Sequence, residues 1–333
     1  MPETYLVTGG AGFIGSHLVE ALLARGDLVV AVDNLSTGSL DNLDSVIGHP
    51  SFQFVPGSVL DEPLVDELVN RCEVVIHLAA TVGVKLIVEQ PLRSFTNNIR
   101  GSEVVIAAAH RYRRKILIAS TSEIYGKNGS APLREEDDRL LGPPSTSRWA
   151  YSTAKAVDEV LAFAYHRERG LPAIVVRLFN TVGPRQSPAY GMVVPRLVRQ
   201  ALAHEPLTIY GDGNQTRCFC HVGDVNAALI LLLDEPAAIG QAFNVGSTEE
   251  VSIRQLADRV RIATGNNVPT HMVPYERAYE AGFEDMRRRV PDTTKLRTLT
   301  GWRPSRTLDS ILAEVVAGVG VERRRLQEAT GRM

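Results

Sequence analysis

The sequence predicts an α/β fold, a doubly wound parallel sheet with a smaller mixed C-terminal cap. Three observations predict it. From residue 4 to about residue 120, short apolar runs alternate with longer amphipathic ones; a glycine-rich turn joins the first of each; and after about residue 180 the alternation dissolves into Gly and Pro punctuation. Strands that read apolar throughout, instead of alternating with polar residues, belong to a parallel sheet covered by helices on both faces.

The runs are Tyr5-Leu6-Val7, Leu28 to Val32, Phe52 to Val55, Val74-Val75-Ile76 and Ile116-Leu117-Ile118. Between them, Phe13 to Arg25 and Pro91 to Arg111 carry apolar residues at helical spacing. Pro91 suits a first helical turn, where its missing N–H would have had no partner. Leu161 to Arg169 ends a further helix, closed by Gly170 and Pro172 before Ile174-Val175-Val176, a sixth strand. Punctuation then thickens at Gly183-Pro184, Gly191, Pro195 and Gly211-Asp212-Gly213, while Phe243-Asn244-Val245-Gly246 reads as a strand returning to the sheet. The expected division is 1–180 for the main α/β unit, with 223–246 returning to it, and 181–320 mainly for the cap.

A chain of 333 residues, 44% hydrophobic and 22% charged, can bury a large core. Lys plus Arg number 36 and Asp plus Glu 38, a formal charge of -2, so no global field draws the chain onto nucleic acid or an anionic membrane. Cys72, Cys218 and Cys220 form neither a disulfide framework nor a Cys-x-x-Cys pair, and no metal site is expected. Met1-Pro2-Glu3-Thr4 runs directly into a strand pattern without a signal peptide. The longest aliphatic stretch, Ala227 to Leu233, is far short of the roughly 20 residues that span a bilayer. The expectation is a cytoplasmic protein.

Gly9-Gly10-Ala11-Gly12-Phe13-Ile14-Gly15 sits between the first strand and the first helix. Glycines at 9, 12 and 15 allow a tight turn, a close approach to a pyrophosphate and close packing of helix on strand, and the helix N-terminus adds amide donors. Asp33 ends the second strand, where a carboxylate accepts both hydroxyls of a ribose and repels a 2′-phosphate. These pieces point to NAD rather than NADP; the competing reading is a tight turn with a surface aspartate. Tyr151 and Lys155 are four residues apart and share a helix face. A neighbouring cation, with an oxidised nicotinamide adding positive charge, favours phenolate, which makes Tyr151 a candidate base for a sugar hydroxyl, although such pairs also arise on solvated helices. Thr121, at the end of the fifth strand, could reach the same oxygen.

The glycine turn, Asp33, His77-Leu78-Ala79-Ala80, Ala119 to Gly126, Tyr151 with Lys155, Arg177-Leu178-Phe179-Asn180, Gly183-Pro184-Arg185 and Gly301-Trp302-Arg303-Pro304 together resemble the extended short-chain dehydrogenases/reductases. The resemblance covers essentially the whole chain. It is similar within them to the NAD-dependent nucleotide-sugar epimerases, dehydratases and decarboxylases, which implies a Rossmann domain that binds NAD and a cap that binds a nucleoside diphosphate sugar, UDP-linked by expectation. By that resemblance Gly9, Gly12, Phe13, Ile14, Gly15, Asp33, Asn34, Ser58, Val59, Leu78, Ala79, Ala80, Asn98, Tyr151 and Lys155 hold the cofactor. Ser58 departs from an aspartate that often contacts adenine, which implies one lost hydrogen bond. Ser122, Arg148, Asn180, Arg185, Arg217 and Arg289 fall to the substrate.

The resemblance also implies oxidation at C4 of the sugar, with Tyr151 as base beside Thr121 and Lys155. Dehydratases usually carry adjacent Asp-Glu after the threonine and simple epimerases lack the acid; Thr121-Ser122-Glu123 and the arginine of Arg289-Val290-Pro291-Asp292 resemble the UDP-glucuronate decarboxylases. Glu123 would then reprotonate or orient the enol at C5, and Arg289 would hold the anionic substrate. Set against this, Glu123 could be an exposed loop carboxylate, Arg289 part of a solvated run with Arg287 and Arg288, Asn180 a partner for loop backbone, and Arg148 a stacking partner of Trp149. The alternatives are a 4-epimerase of UDP-glucuronate or UDP-glucose, a 4,6-dehydratase, and a non-catalytic NAD-responsive binding protein. The resemblance further implies a homodimer formed through the helices containing Ala107 and Ala156.

Overall fold

The computed structural model describes residues 2–83, 90–130, 132–278 and 286–330. From the N-terminus, β1 (Thr4–Thr8), α1 (Phe13–Arg25), β2 (Leu28–Asp33), β3 (Phe52–Pro56), α2 (Glu62–Asn70), β4 (Val74–His77), α3 (Pro91–Arg111), β5 (Lys115–Thr121), α4 (Ala150–Arg169) and β6 (Ala173–Leu178) alternate. Then come β7 (Thr181–Val182), α5 (Val193–Leu202), β8 (Leu207–Tyr210), β9 (Thr216–Cys218), β10 (Cys220–His221), α6 (Val222–Asp234), β11 (Ala242–Val245), β12 (Glu250–Ser252) and α7 (Ile253–Thr264). The chain continues through β13 (Thr270–Val273), a single turn α8 (Tyr275–Ala278), β14 (Arg288–Arg289), α9 (Thr294–Thr300) and α10 (Leu308–Thr330).

Seven strands form one parallel sheet in the order β11-β6-β5-β4-β1-β2-β3. Each predicted apolar run falls inside one of them, and β11 pairs with β6 at the edge, Phe243 opposite Val176. The two helices predicted at Phe13 to Arg25 and Pro91 to Arg111 form over those residues. Helix α1 stops at Gly26 and α4 at Gly170, each at positive φ, because only a residue without Cβ takes that conformation at little cost. Helix α2 buries Val65, Leu68 and Val69 at helical spacing, and Asp61 caps it by accepting from Leu64 N.

Both faces of the sheet are covered, as the apolar strands require. One core joins Leu18 and Leu22 of α1 with Val225 and Leu229 of α6 and Phe243. The other joins Val65 and Leu68 of α2 with Val105 and Ala109 of α3 and Ala162 of α4. The cap has its own core, in which Leu197, Leu256, Val260, Ile311 and Leu312 are fully shielded. Its small sheets are β12-β9-β14, β13-β8 and β10-β7. Among the described residues no helix is long and apolar enough to cross a membrane.

Strand order reverses at β1, which has β4 on one side and β2 on the other. Connections leave in opposite directions there, so a crevice opens past the carboxyl ends of β1 and β4. Every residue discussed next lies at or behind that crevice.

Candidate active site

The turn after β1 is shaped by steric exclusion. Gly9 has φ +71°, and a Cβ there would lie 2.9 Å from Ala79 N; a Cβ on Gly15 would lie 2.2 Å from Gly9 O. These two positions lock the turn against β4 and α1 against the turn. Gly12 differs, because a Cβ on it would meet only Gly9 O, at 3.1 Å, and otherwise open space. No side chain caps α1 at Gly12, so its first amides face the crevice. Asp33 Oδ2 accepts from Ala11 N at 3.0 Å and Oδ1 from Leu35 N at 2.8 Å, which aims the carboxylate and leaves a lone pair free on each oxygen. Burial pushes its carboxyl upward, opposed by those two amides.

The crevice is a cleft of about 500 Å³. Gly9, Gly12, Phe13, Ile14, Gly15, Asp33, Asn34, Ser58, Val59 and Leu78, Ala79 and Ala80 line it, as do Thr121, Ser122, Glu123, Arg148, Tyr151, Asn180, Arg185, Arg217 and Arg289. An open glycine turn, an uncapped helix N-terminus and an aimed carboxylate in one crevice fit a dinucleotide with free ribose hydroxyls. Ser58 Oγ is engaged locally, accepting from Leu60 N. Two predicted cofactor residues stand behind the wall. Asn98 is 2% exposed and its amide is used at both ends by Thr81, accepting from its N at 2.7 Å and donating to its O at 3.2 Å. Asn97, its neighbour, lines the cleft. The other is Lys155.

Lys155 Nζ donates to Asp158 Oδ2 at 2.6 Å, and both side chains are buried. The expected lowering of the Tyr151 phenol rests on the positive charge of an oxidised nicotinamide as well as on Lys155, and the protein's own groups act the other way. Burial raises the Tyr151 pKa, the charges of Glu123 and Asp158 raise it further, and only the Thr121 hydroxyl opposes them. Thr121 Oγ1 also accepts from Glu123 N at 3.2 Å, which fixes the start of the turn that carries Glu123. Tyr125 closes that turn: its hydroxyl donates to Asn244 Oδ1 at 2.7 Å and accepts from Arg177 at 2.9 Å.

Glu123 is no exposed loop residue; its side chain is 15% exposed. Burial alone would raise its pKa, but Arg148 and Arg289 outweigh burial and hold the carboxyl below its ordinary value. Arg148 Nη1 donates to Oε2 at 2.6 Å and Arg289 Nη1 to Oε1 at 3.4 Å. Arg289 also donates to Asn180 Oδ1, while Asn180 Nδ2 donates to Cys218 O at 2.9 Å. Arg289 is thus separated from the solvated run it belongs to in sequence: Arg288 pairs outward with Glu250. Arg217 is 7% exposed, with Nη1 donating to the carbonyls of Thr216 and Met286. Arg185, at φ +69°, reaches back to Ser16 and Glu20 of α1 and ties the cap to the glycine turn.

Cys218 and Cys220 are buried and free. Gln215 was not singled out in the sequence, yet it lines the cleft and donates to Tyr210 O and Tyr275 Oη, both at 3.0 Å. Its only sequence signal is its place two residues before Arg217. Asp158 was also missed, although its spacing from Lys155 on a helix could have flagged it.

A phenol and a lysine one helical turn apart, set where a doubly wound sheet opens a dinucleotide crevice, are the marks of the extended short-chain dehydrogenases/reductases. Within that class the chain belongs to the NAD dependent epimerase/dehydratase family, whose model matches residues 5–246. The chain is similar to the UDP-N-acetyl-alpha-D-glucosaminuronate decarboxylase of Bacillus cytotoxicus, with 40% identity over 317 residues, 95% of this chain and 97% of that one. It is 36% identical to UDP-glucuronic acid decarboxylase 6 of Arabidopsis thaliana over 90% of this chain and 83% of the relative. Among solved structures, the UDP-glucose 4-epimerase of Thermotoga maritima matches with a TM-score of 0.86 at 32% identity, covering 97% of this chain and 99% of that one.

Proposed function

We propose that the protein is an NAD-dependent decarboxylase of a UDP-linked hexuronate, converting UDP-glucuronate to UDP-xylose and carbon dioxide. The observation that carries this reading is the Glu123 carboxylate held between Arg148 and Arg289 beside Tyr151. Inversion at C4 moves no proton at C5 and requires no acid there, whereas loss of carbon dioxide leaves an enol that must gain a proton at C5.

The glycine turn, Asp33 and Leu78 to Ala80 would hold NAD. Bound NAD would supply reversible hydride chemistry at C4, taking up a hydride to leave a ketone and giving it back when the cycle ends. Tyr151 takes the proton of the C4 hydroxyl and keeps it close to that oxygen, with the Thr121 hydroxyl as second donor. Arg289 and Arg148 offer charge to the anionic substrate, since their two guanidiniums exceed the single charge of Glu123. The carboxylate is β to the C4 carbonyl, so the electron pair of the breaking C5–C6 bond flows onto the C4 oxygen, where Tyr151 and Thr121 stabilise it. Glu123, ionised at neutral pH, orients the proton that C5 receives. The sum is one UDP-glucuronate and one proton giving one UDP-xylose and one carbon dioxide.

A second reading, in which C2 of the substrate carries an acetamido group, is favoured by the 40% identity with the Bacillus cytotoxicus enzyme. Both substrates are compared by NMR with label in the carboxyl carbon. Labelled carbon dioxide and a UDP-pentose support the proposal. Retained carboxylate with inverted C4 replaces it by a 4-epimerase, and a 6-deoxy-4-keto product by a dehydratase.

The same reading makes the protein a cytoplasmic homodimer. Three free cysteines suit a reducing compartment. Ala156 is 5% exposed and faces inward, but Val157 and Val160 of α4 are 38% and 67% exposed and offer an apolar face to a second copy. Sedimentation showing a monomer at working concentration removes the dimer.

A further inference from the structure

Behind the turn that carries Glu123, side chains from several elements form a buried polar bridge that the reaction derived above does not use. Arg177 on β6 pairs with Glu159 on α4, Nη2 to Oε2 at 2.8 Å, and Glu159 Oε1 also accepts from the Ser120 hydroxyl near the end of β5. Arg177 Nη1 donates to the Tyr125 hydroxyl at 2.9 Å and to Glu135 O at 2.7 Å. The Tyr125 hydroxyl donates to Asn244 Oδ1 at 2.7 Å, and Asn244 Nδ2 donates to Leu133 O at 3.0 Å and Asp292 O at 3.3 Å. Tyr125 and Asn244 are fully shielded, and neither lines the cleft.

The ends of the bridge fix its hydrogen-bond directions. A guanidinium only donates, so the Tyr125 oxygen accepts from Arg177 and its single proton goes to Asn244. The two carbonyls only accept, so the Asn244 amide nitrogen faces them and its oxygen faces Tyr125; a flipped amide would set oxygen against oxygen at both. In that orientation Asn244 joins two segments far apart in sequence. On one side, Tyr125 ends the turn Ser122–Tyr125, which carries Glu123. On the other, Leu133 and Asp292 belong to the pairing that holds the Arg289 strand: Leu133 N donates to Val290 O at 2.8 Å and Asp292 N to Leu133 O at 2.7 Å. Asn244 N, at the sheet edge, donates to Glu135 Oε1 at 2.8 Å and fastens the same segment to β11.

The bridge therefore spans the two elements whose side chains meet in the cleft. Of the two contacts to Glu123, that of Arg289 is the looser, 3.4 Å against 2.6 Å for Arg148. We propose that Asn244 is a positioning residue: with Tyr125 it sets the spacing between the Glu123 turn and the Arg289 strand, and so keeps the Arg289 guanidinium placed to share its charge between Glu123 and the carboxylate of the substrate. The inference rests on the proposed function, which gives that carboxylate to Arg289 and Arg148.

The test uses NAD-loaded protein carrying Tyr151→Phe to suppress turnover. Calorimetry compares its affinities for UDP-glucuronate and UDP-xylose, two ligands that differ by the carboxylate. Their ratio reads the hold on that group, whereas a general loosening of the fold weakens both ligands alike. Adding Asn244→Ala or Tyr125→Phe should lower the ratio by about tenfold, the size of one lost hydrogen bond to a charged group. Tyr125→Phe removes a single oxygen, and it decides the matter alone if Asn244→Ala does not fold. An unchanged ratio in the folded variants overturns the proposal and leaves the bridge as structural support. A Tyr151→Phe parent that binds the two ligands equally removes the hold on the carboxylate, and with it both the role given to the arginines and this inference. That result is read on the parent alone, so the two failures are told apart.

Discussion

Arg148 Nη1 meets Glu123 Oε2 at 2.6 Å while the same guanidinium lies 5.4 Å from the centre of the Trp149 ring. The stacking role and the site role are compatible, because a planar guanidinium stacks by its face and donates by its edge. Both charges are well shielded, with side chains 5% and 15% exposed, so each depends on the other for compensation. Arg148→Ala leaves Glu123 to Arg289 alone and should cost about 3 to 5 kcal/mol of stability in urea unfolding. Arg148→Lys, which lacks the planar fork, should recover only part of the loss.

Tyr151→Phe should lower turnover by roughly 100-fold or more, the usual contribution of a general base, while NAD binding measured by calorimetry changes little. Glu123→Gln should also lose decarboxylation. A rate unchanged in Tyr151→Phe removes the phenol from the chemistry.

The two glycines that open α1 should fail differently. A Cβ on Gly15 falls 2.2 Å from Gly9 O, inside the backbone, so Gly15→Ala should lower the melting temperature and NAD affinity together. A Cβ on Gly12 meets only one atom, at 3.1 Å, and otherwise points into the space a pyrophosphate needs. Gly12→Ala should melt near the parent temperature and bind NAD at least about tenfold more weakly. Equal NAD affinity in Gly12→Ala would move the dinucleotide away from this turn.

Acid should destabilise the protein well above the ordinary carboxylate range. The unfolded chain protonates its histidines near pH 6.5, whereas His77, buried first and faced by Lys155, has its pKa lowered to about 3. Between those values the unfolded state binds the extra proton, so stability falls as pH drops from about 6.5 toward 3. The depressed carboxyl of Glu123 adds a loss of the same sign below its ordinary range. Urea midpoints measured from pH 7 to pH 4 should decline, and His77→Gln should flatten the decline.

Much of the site was legible because its signals are local. Gly9, Gly12 and Gly15 mark a turn by their own conformational needs, and Tyr151 with Lys155 declares a shared helix face by spacing alone. Which of Asn97 and Asn98 lines the cleft was not legible, because it depends on how α3 lies against the segment after β4. Glu123, Arg148 and Arg289 each read equally well as surface charges, since nothing local says that 25 and 166 residues of separation close into one ion-paired cluster.

By itself the sequence determined the parallel sheet, the two long helices and the dinucleotide turn, since periodicity, glycine and proline act through neighbours along the chain. Only the tertiary structure decided the charge states around the phenol. It buried Tyr151 and turned the Lys155 ammonium onto Asp158 at 2.6 Å. A side chain's proton affinity is set by the solvent it loses and the charges brought near it in space, and neither is written in residue spacing.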